Sequence, residues 1–301
     1  MKRLAVVAVV AVFALVAAGP EVHAADRPAT LAVYGGLGSW LDIFAGSVWS
    51  RPRGLVAALR AEGVSTLYLQ TSNYSQRADL VRPGALAALI DVGHAAGLRV
   101  VAGYLPSFAA PVLDVRRSLA AIRFRTATGQ RFDSFALDIE ASLVLDVRQR
   151  NARLLALAKV LRRAAPARYP LGAIIPSPVG MRHHPRYWPA FPYARLAAWF
   201  DAILPMAYFT HYTHTPAGAY SYAREVITSI RTNTDEPAKV IHLIGGLASG
   251  ASTATFAAFD QAAADCGADG LSLYEFPLTT PPEWASLRDT PLGQAKHSAC
   301  A

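Results

Sequence analysis

Short apolar runs alternate with amphipathic stretches along most of this chain. The runs have strand length and predict strands over 30–34, 66–70, 99–104, 135–140, 171–175, 202–207, 240–244 and 270–275. Between them, apolar residues recur at helical spacing among Ala, Leu and Arg. That spacing predicts helices over 52–61, 83–96, 112–125, 143–164, 220–232 and 253–266. A Pro- and aromatic-rich loop and a short helix over 194–200 join the fifth and sixth strands, and 279–287 can supply a closing helix. Strands alternating with helices argue for a parallel sheet. Eight such units in one chain favour a closed (β/α)8 TIM barrel, a single α/β domain, over an open doubly wound sheet. Tyr34-Gly35-Gly36-Leu37-Gly38 is glycine-rich but lacks the spacing of a phosphate loop, so it is expected as a loop at the barrel mouth.

The first segment has a different pattern. Met1-Lys2-Arg3 precedes an apolar run over 4–18, and Val22 and Ala24 are small residues at a cut site. This predicts a secretory signal peptide over 1–24, cleavage after Ala24, and a barrel domain over 25–301. The apolar core is shorter than the ~20 residues a spanning helix needs, so no integral membrane anchor is expected after processing. The protein is expected to be secreted or periplasmic. Export permits a disulfide between Cys266 and Cys300; a buried Cys266 with a free Cys300 is the other arrangement.

Charge adds little to the fold but narrows the partners. The chain carries 29 Lys and Arg against 21 Asp and Glu, a net +8. The arginines spread over the outer faces of several predicted helices, as Arg116, Arg148, Arg153 and Arg163 do. A basic exterior suits docking on an anionic cell-wall surface. No nucleic-acid partner is expected, because the arginines are not interleaved with exposed aromatics.

The candidate chemistry lies in Phe135-Ala136-Leu137-Asp138-Ile139-Glu140. On a strand, Asp138 and Glu140 point to the same side. Burying two acids together is costly unless they are paired or used. Close carboxylates also push their pKa values apart, so one can stay protonated while the other is charged. A proton donor beside an anion is the equipment for cleaving a glycosidic bond. The bland alternative is a structural ion pair with Arg99 or Arg131.

In a barrel, chemistry gathers at the C-terminal strand ends. The expected residues there are Tyr34, Gln70, Tyr104, Glu140, Tyr208 and Glu275. Loop aromatics such as Trp40, Trp49, Tyr74, Tyr187, Trp188, Tyr212 and Trp284 suit a saccharide groove or helix–barrel packing. His183-His184 and His211-Tyr212-Thr213-His214 lack metal-ligand spacing, so neither a metal nor any other cofactor is expected.

These residues carry a resemblance. Asp133-Ser134-Phe135-Ala136-Leu137-Asp138-Ile139-Glu140 resembles the D-x-x-D-x-D-x-E signature of chitinase-type (family 18) glycoside hydrolases, which also lies on the fourth barrel strand. Leu204-Pro205-Met206-Ala207-Tyr208 resembles the family's Met-x-Tyr motif on the sixth strand. The resemblance implies that Glu140 protonates the glycosidic oxygen. Asp138 would orient the substrate's own acetamido group, which acts as nucleophile, and Tyr208 would hydrogen-bond its carbonyl. Gln70 and Tyr104 would line the floor, with Tyr34, Met206, Tyr274 and Glu275 as further substrate contacts. The substrate implied is a polysaccharide or oligosaccharide of β-linked N-acetylated amino sugars, chitin-like or peptidoglycan. Three positions depart from the pattern: Ala136 replaces a third acid, Phe209 follows Tyr208, and Tyr274-Glu275-Phe276 stands where a tryptophan floor is typical. Leu137-Asp138-Ile139-Glu140 is also similar to the D-x-E of lysozyme-like (family 25) muramidases. A non-catalytic, saccharide-binding chitinase-like protein is the remaining alternative.

Overall fold

The structure, a computed structural model, describes residues 30–237, 239–246, 251–288, 292 and 300. The leader read at 1–24 lies outside the described residues. Eight strands close in chain order: β1 Gly36–Leu41, β2 Thr66–Asn73, β3 Arg99–Leu105, β4 Ser134–Asp138, β5 Leu171–Pro176, β6 Ala202–Met206, β7 Val240–Gly246 and β8 Gly270–Tyr274. Every neighbouring pair is parallel, including β1 with β8. Around them lie α1 Pro52–Ala61, α2 Pro83–Ala95, α3 Pro111–Arg123, α4 Val147–Ala164, α5 Pro178–His183, α6 Tyr193–Ala197, α7 Pro216–Thr234, α8 Thr253–Asp265 and α9 Pro281–Leu287. This is the (β/α)8 TIM barrel that the alternating pattern predicts.

The strands read as continuous apolar runs because both of their faces are covered. Leu67, Leu69, Phe135, Leu137, Leu271 and Leu273 face outward into the layer beneath the helices. Trp40, Tyr68, Val101, Ala136, Ile174, Leu204 and Ile244 face inward and fill the lumen. Helix starts are written locally: prolines open α1, α2, α3, α5, α7 and α9, and Asp146, Ser177, Thr215 and Ser252 cap α4, α5, α7 and α8 through their side chains.

The first strand is displaced from its expected place. Thr30–Tyr34 forms a 3-10 turn, and the glycine-rich stretch begins the strand instead of looping at the mouth. Packing inside the barrel is the reason. A Cβ on Gly38 would sit 2.7 Å from the Tyr68 ring and 3.1 Å from His242, so only glycine fits there. Tyr34 plugs the opposite, N-terminal end, fully buried, with its hydroxyl bonded to Ser134 Oγ.

Other boundaries shift for capping reasons. Asp146 accepts hydrogen bonds from the Arg148 and Gln149 backbone N–H groups, so α4 starts at Val147 and 141–146 is left as loop. Thr215 starts α7 at Pro216, ahead of the expected 220. Ser177-Pro178 opens α5 inside the stretch expected as a loop. Cys266 and Cys300 form a disulfide with their Cα atoms 5.1 Å apart, which decides between the two arrangements. Among the described residues, no helix is long and apolar enough to cross a membrane.

Candidate active site

Strand β4 brings the two acids together. Its outward residues Phe135, Leu137 and Ile139 are buried under the helices, which turns Ala136, Asp138 and Glu140 toward the lumen. Asp138 and Glu140 border a pit of about 250 Å³ at the C-terminal end of the barrel. Both are half-buried, and neither is in an ion pair among the described residues. Arg131, a suggested partner, lies over the Tyr169 ring. Burial pushes the Asp138 carboxyl well above its usual range, and the neighbouring Glu140 charge adds to the shift. Burial raises Glu140 as well. Asp138 Oδ1 is sealed from solvent with no hydrogen-bond partner among the described residues. One cause is visible two residues back, where Ala136 puts a methyl group on the same inward face.

Tyr208, two residues beyond the end of β6, stands beside the pair. Burial holds its phenol protonated, and the neighbouring carboxyls of Asp138 and Glu140 add to the shift. It is therefore a hydrogen-bond donor facing two carboxyls. Met206 lies on the same inward side of β6, and both residues border the pit.

The other expected contacts divide. Gln70 borders the pit, and its Oε1 accepts the Ile43 N–H at 3.2 Å, which fixes the amide. Tyr274 borders it too, and its hydroxyl donates to Asp42 Oδ2 at 3.0 Å. Tyr104 borders the pit as well, but with its ring turned outward. Its ring is buried in the outer layer and its hydroxyl donates to Asp114 Oδ1 at 2.8 Å, because the pleat assigns the inward place to Gly103. Glu275 does not border the pit. It is buried beside β1, where its Oε2 accepts the Asp42 N–H at 3.2 Å. Tyr34 is excluded outright, because it lies at the far end of the barrel.

Three residues outside the expected strand-end set join the site: Trp40 and Tyr187, expected as loop aromatics suited to a saccharide groove, and Asp42, which was not expected. Trp40 lies on β1, Asp42 directly follows it, and both border the pit; the misplaced first strand kept them out of the strand-end set. Tyr187 anchors the active-site loop, donating its hydroxyl hydrogen to the Glu140 carbonyl. Trp40 stacks on Tyr68 with ring centroids 4.3 Å apart, and its Nε1–H donates to Ser272 Oγ at 2.7 Å. Ser272 Oγ lies 2.9 Å from His242 Nε2, and His242 Nδ1 lies 2.8 Å from the Tyr34 carbonyl oxygen. The charged side chains bordering the pit are Asp42, Asp138 and Glu140, all acids. Among the described residues no group of three or more His, Cys, Asp or Glu is arranged to hold a metal. His183 stacks on Tyr212, and His211 stands edge-on to Tyr208.

No family model matches the sequence, and no curated protein matches it. Solved structures do match. A chitinase from Bacteroides thetaiotaomicron superposes with a TM-score of 0.65 at 11% identity, covering 88% of this chain and 98% of that one. The barrel is one that chitinases share. An endo-beta-1,4-mannanase from Thermotoga petrophila gives 0.65 at 10% identity, over 85% of this chain and 76% of its own. The spore cortex-lytic enzyme SleL of Bacillus megaterium gives 0.61 at 11% identity, over 88% and 75%. At these identities the likeness is one of fold, and the site has to be read from its own geometry.

Proposed function

We propose that this protein is an exported glycoside hydrolase that cleaves β-linked N-acetylated amino-sugar glycans, chitin-like or peptidoglycan. The observation that carries the reading is the inward pair Asp138 and Glu140, both raised in pKa, beside the protonated Tyr208 in one pit. A carboxyl kept protonated by burial can donate to a leaving oxygen near neutral pH. Glu140, the more accessible of the two at the rim, fits that role. Asp138 lies deeper and can hold an acetamido N–H, while the Tyr208 hydroxyl donates to the acetamido carbonyl. The substrate carbonyl oxygen then attacks its own anomeric carbon as Glu140 protonates the leaving group. A spore cortex-lytic enzyme among the similar folds supports including the peptidoglycan strand as substrate. The basic start, apolar run and small residues of the leader support export.

The test is hydrolysis of chito-oligosaccharides and of purified cell-wall glycan. The wild type should release new reducing ends from one of them. Glu140→Gln should lower kcat at least ~10³-fold while the melting temperature stays within a few degrees. Wild-type inactivity on both substrates would remove the substrate assignment.

One observation favours a second reading, a saccharide-binding barrel without catalysis. The methyl of Ala136 offers Asp138 no hydrogen bond, and the sealed Oδ1 has no partner among the described residues. Binding of the same oligosaccharides without release of reducing ends would select that reading.

A further inference from the structure

Resting on the hydrolase reading, we infer that the glycan passes across Glu140 and is cut internally, so that the enzyme is endo-acting. Glu140 borders three cavities. The first is the pit itself. The second, about 460 Å³, runs outward past the ends of β5 and β6, sharing Met206 and Tyr208 with the pit. The third, about 380 Å³, opens on the other side between Tyr74, Leu105 and the 141–143 loop. The second and third have no lining residue in common except Glu140. The proton donor therefore stands at a junction with room on either hand. Each side cavity falls within the usual size range of a ligand site.

The walls differ in a way that suits a polymer. Tyr187, Tyr208, Tyr212 and Tyr222 line the second cavity, giving broad rings that end in hydroxyls. Tyr212 is stacked against Tyr222 and against His183, so these rings already pack on one another in the wall. Sugar units present C–H faces ringed by hydroxyls, and such amphipathic rings meet both. The third cavity pairs Tyr74, 37% exposed, with Leu143, 50% exposed, at an open rim. An enzyme that removes terminal units needs a wall on one side of its acid. Among the described residues, a cavity borders Glu140 on each side instead.

The test follows product length and blocks each side in turn. Ser142 and His184 are exposed residues lining the third and second cavities, outside the pit. Ser142→Trp and His184→Trp fill those cavities from the rim. With a long soluble chitin derivative or glycan strand, the wild type should yield mixed mid-length products in the first minutes. Each variant should lose about tenfold or more in kcat/KM on the polymer. Each should lose less on a fluorogenic disaccharide, which needs the pit and one side only, than on the polymer. Disaccharide as the sole early product, or a blocked variant with unchanged polymer activity, would overturn endo action while leaving the hydrolase reading intact. Failure of the wild type on polymer and disaccharide alike would instead remove the hydrolase reading, and this inference with it.

Discussion

At the scale of single residues, proton positions inside the barrel follow from one carbonyl. The Tyr34 oxygen can only accept, so His242 Nδ1 carries the hydrogen at that contact. Burial pushes the imidazole down to about 4, which keeps the ring neutral and leaves Nε2 as an acceptor. Ser272 must then donate to Nε2, and its lone pair is free to accept from Trp40 Nε1–H. A buried chain thus fixes an indole at the wall of the pit. Ser272→Ala leaves that indole N–H unpaired, at a cost of about 1–3 kcal/mol in stability. The expected outcome is a raised KM for oligosaccharide, a smaller change in kcat, and a shifted tryptophan emission. Unchanged KM and emission would show that Trp40 is held by its stack on Tyr68 alone. The candidate acids were legible because two carboxylates on one strand face have few innocent explanations. Trp40 was expected only as a loop aromatic and Asp42 not at all, because nothing in an isolated glycine-rich stretch shows that Tyr68 and His242 occupy the space a side chain would need.

At the scale of elements, the helices were legible wherever periodicity and capping coincide. Pro52–Ala61 is the clearest case, its first residue a proline and its apolar positions Leu55, Val56 and Leu59 all buried. Periodicity alone overran the start of α4, because Leu143 and Leu145 are apolar yet exposed at the rim of the cleft. Helix α8 carries a polar residue that its pattern does not explain. Asp260 is buried, its Oδ1 has no partner among the described residues, and burial pushes its carboxyl up to about 8. The fold therefore favours the protonated acid. Its contribution to stability is fully present below the ordinary carboxylate range and is lost as pH rises through about 8. Asp260→Asn should flatten this dependence. A melting series from pH 5 to pH 9 should show the variant gaining on the wild type by about 1–3 kcal/mol at the alkaline end. Parallel curves would mean that the carboxylate is accommodated as an ion.

At the scale of the whole molecule, closure was legible from the count of alternating units, since eight strands joined in order by helical crossovers can close into a barrel that covers both faces of the sheet. Long-range chemistry was less so. The Asp42–Tyr274 bond joins residues 232 apart in sequence, and only the β1–β8 seam makes them neighbours. The bond between Cys266 and Cys300, across a sequence separation of 34, has a consequence of another kind. A protein kept in a reducing cytosol would hold both sulfurs as thiols, whereas passage to an oxidising compartment would join them. The cysteine pair is thus a chemical record of where a molecule has been. Thiol alkylation without reductant, read by intact mass, should leave secreted molecules unlabelled and label retained precursor twice. Doubly labelled protein in the medium would show that the proposed export does not bring about the bond.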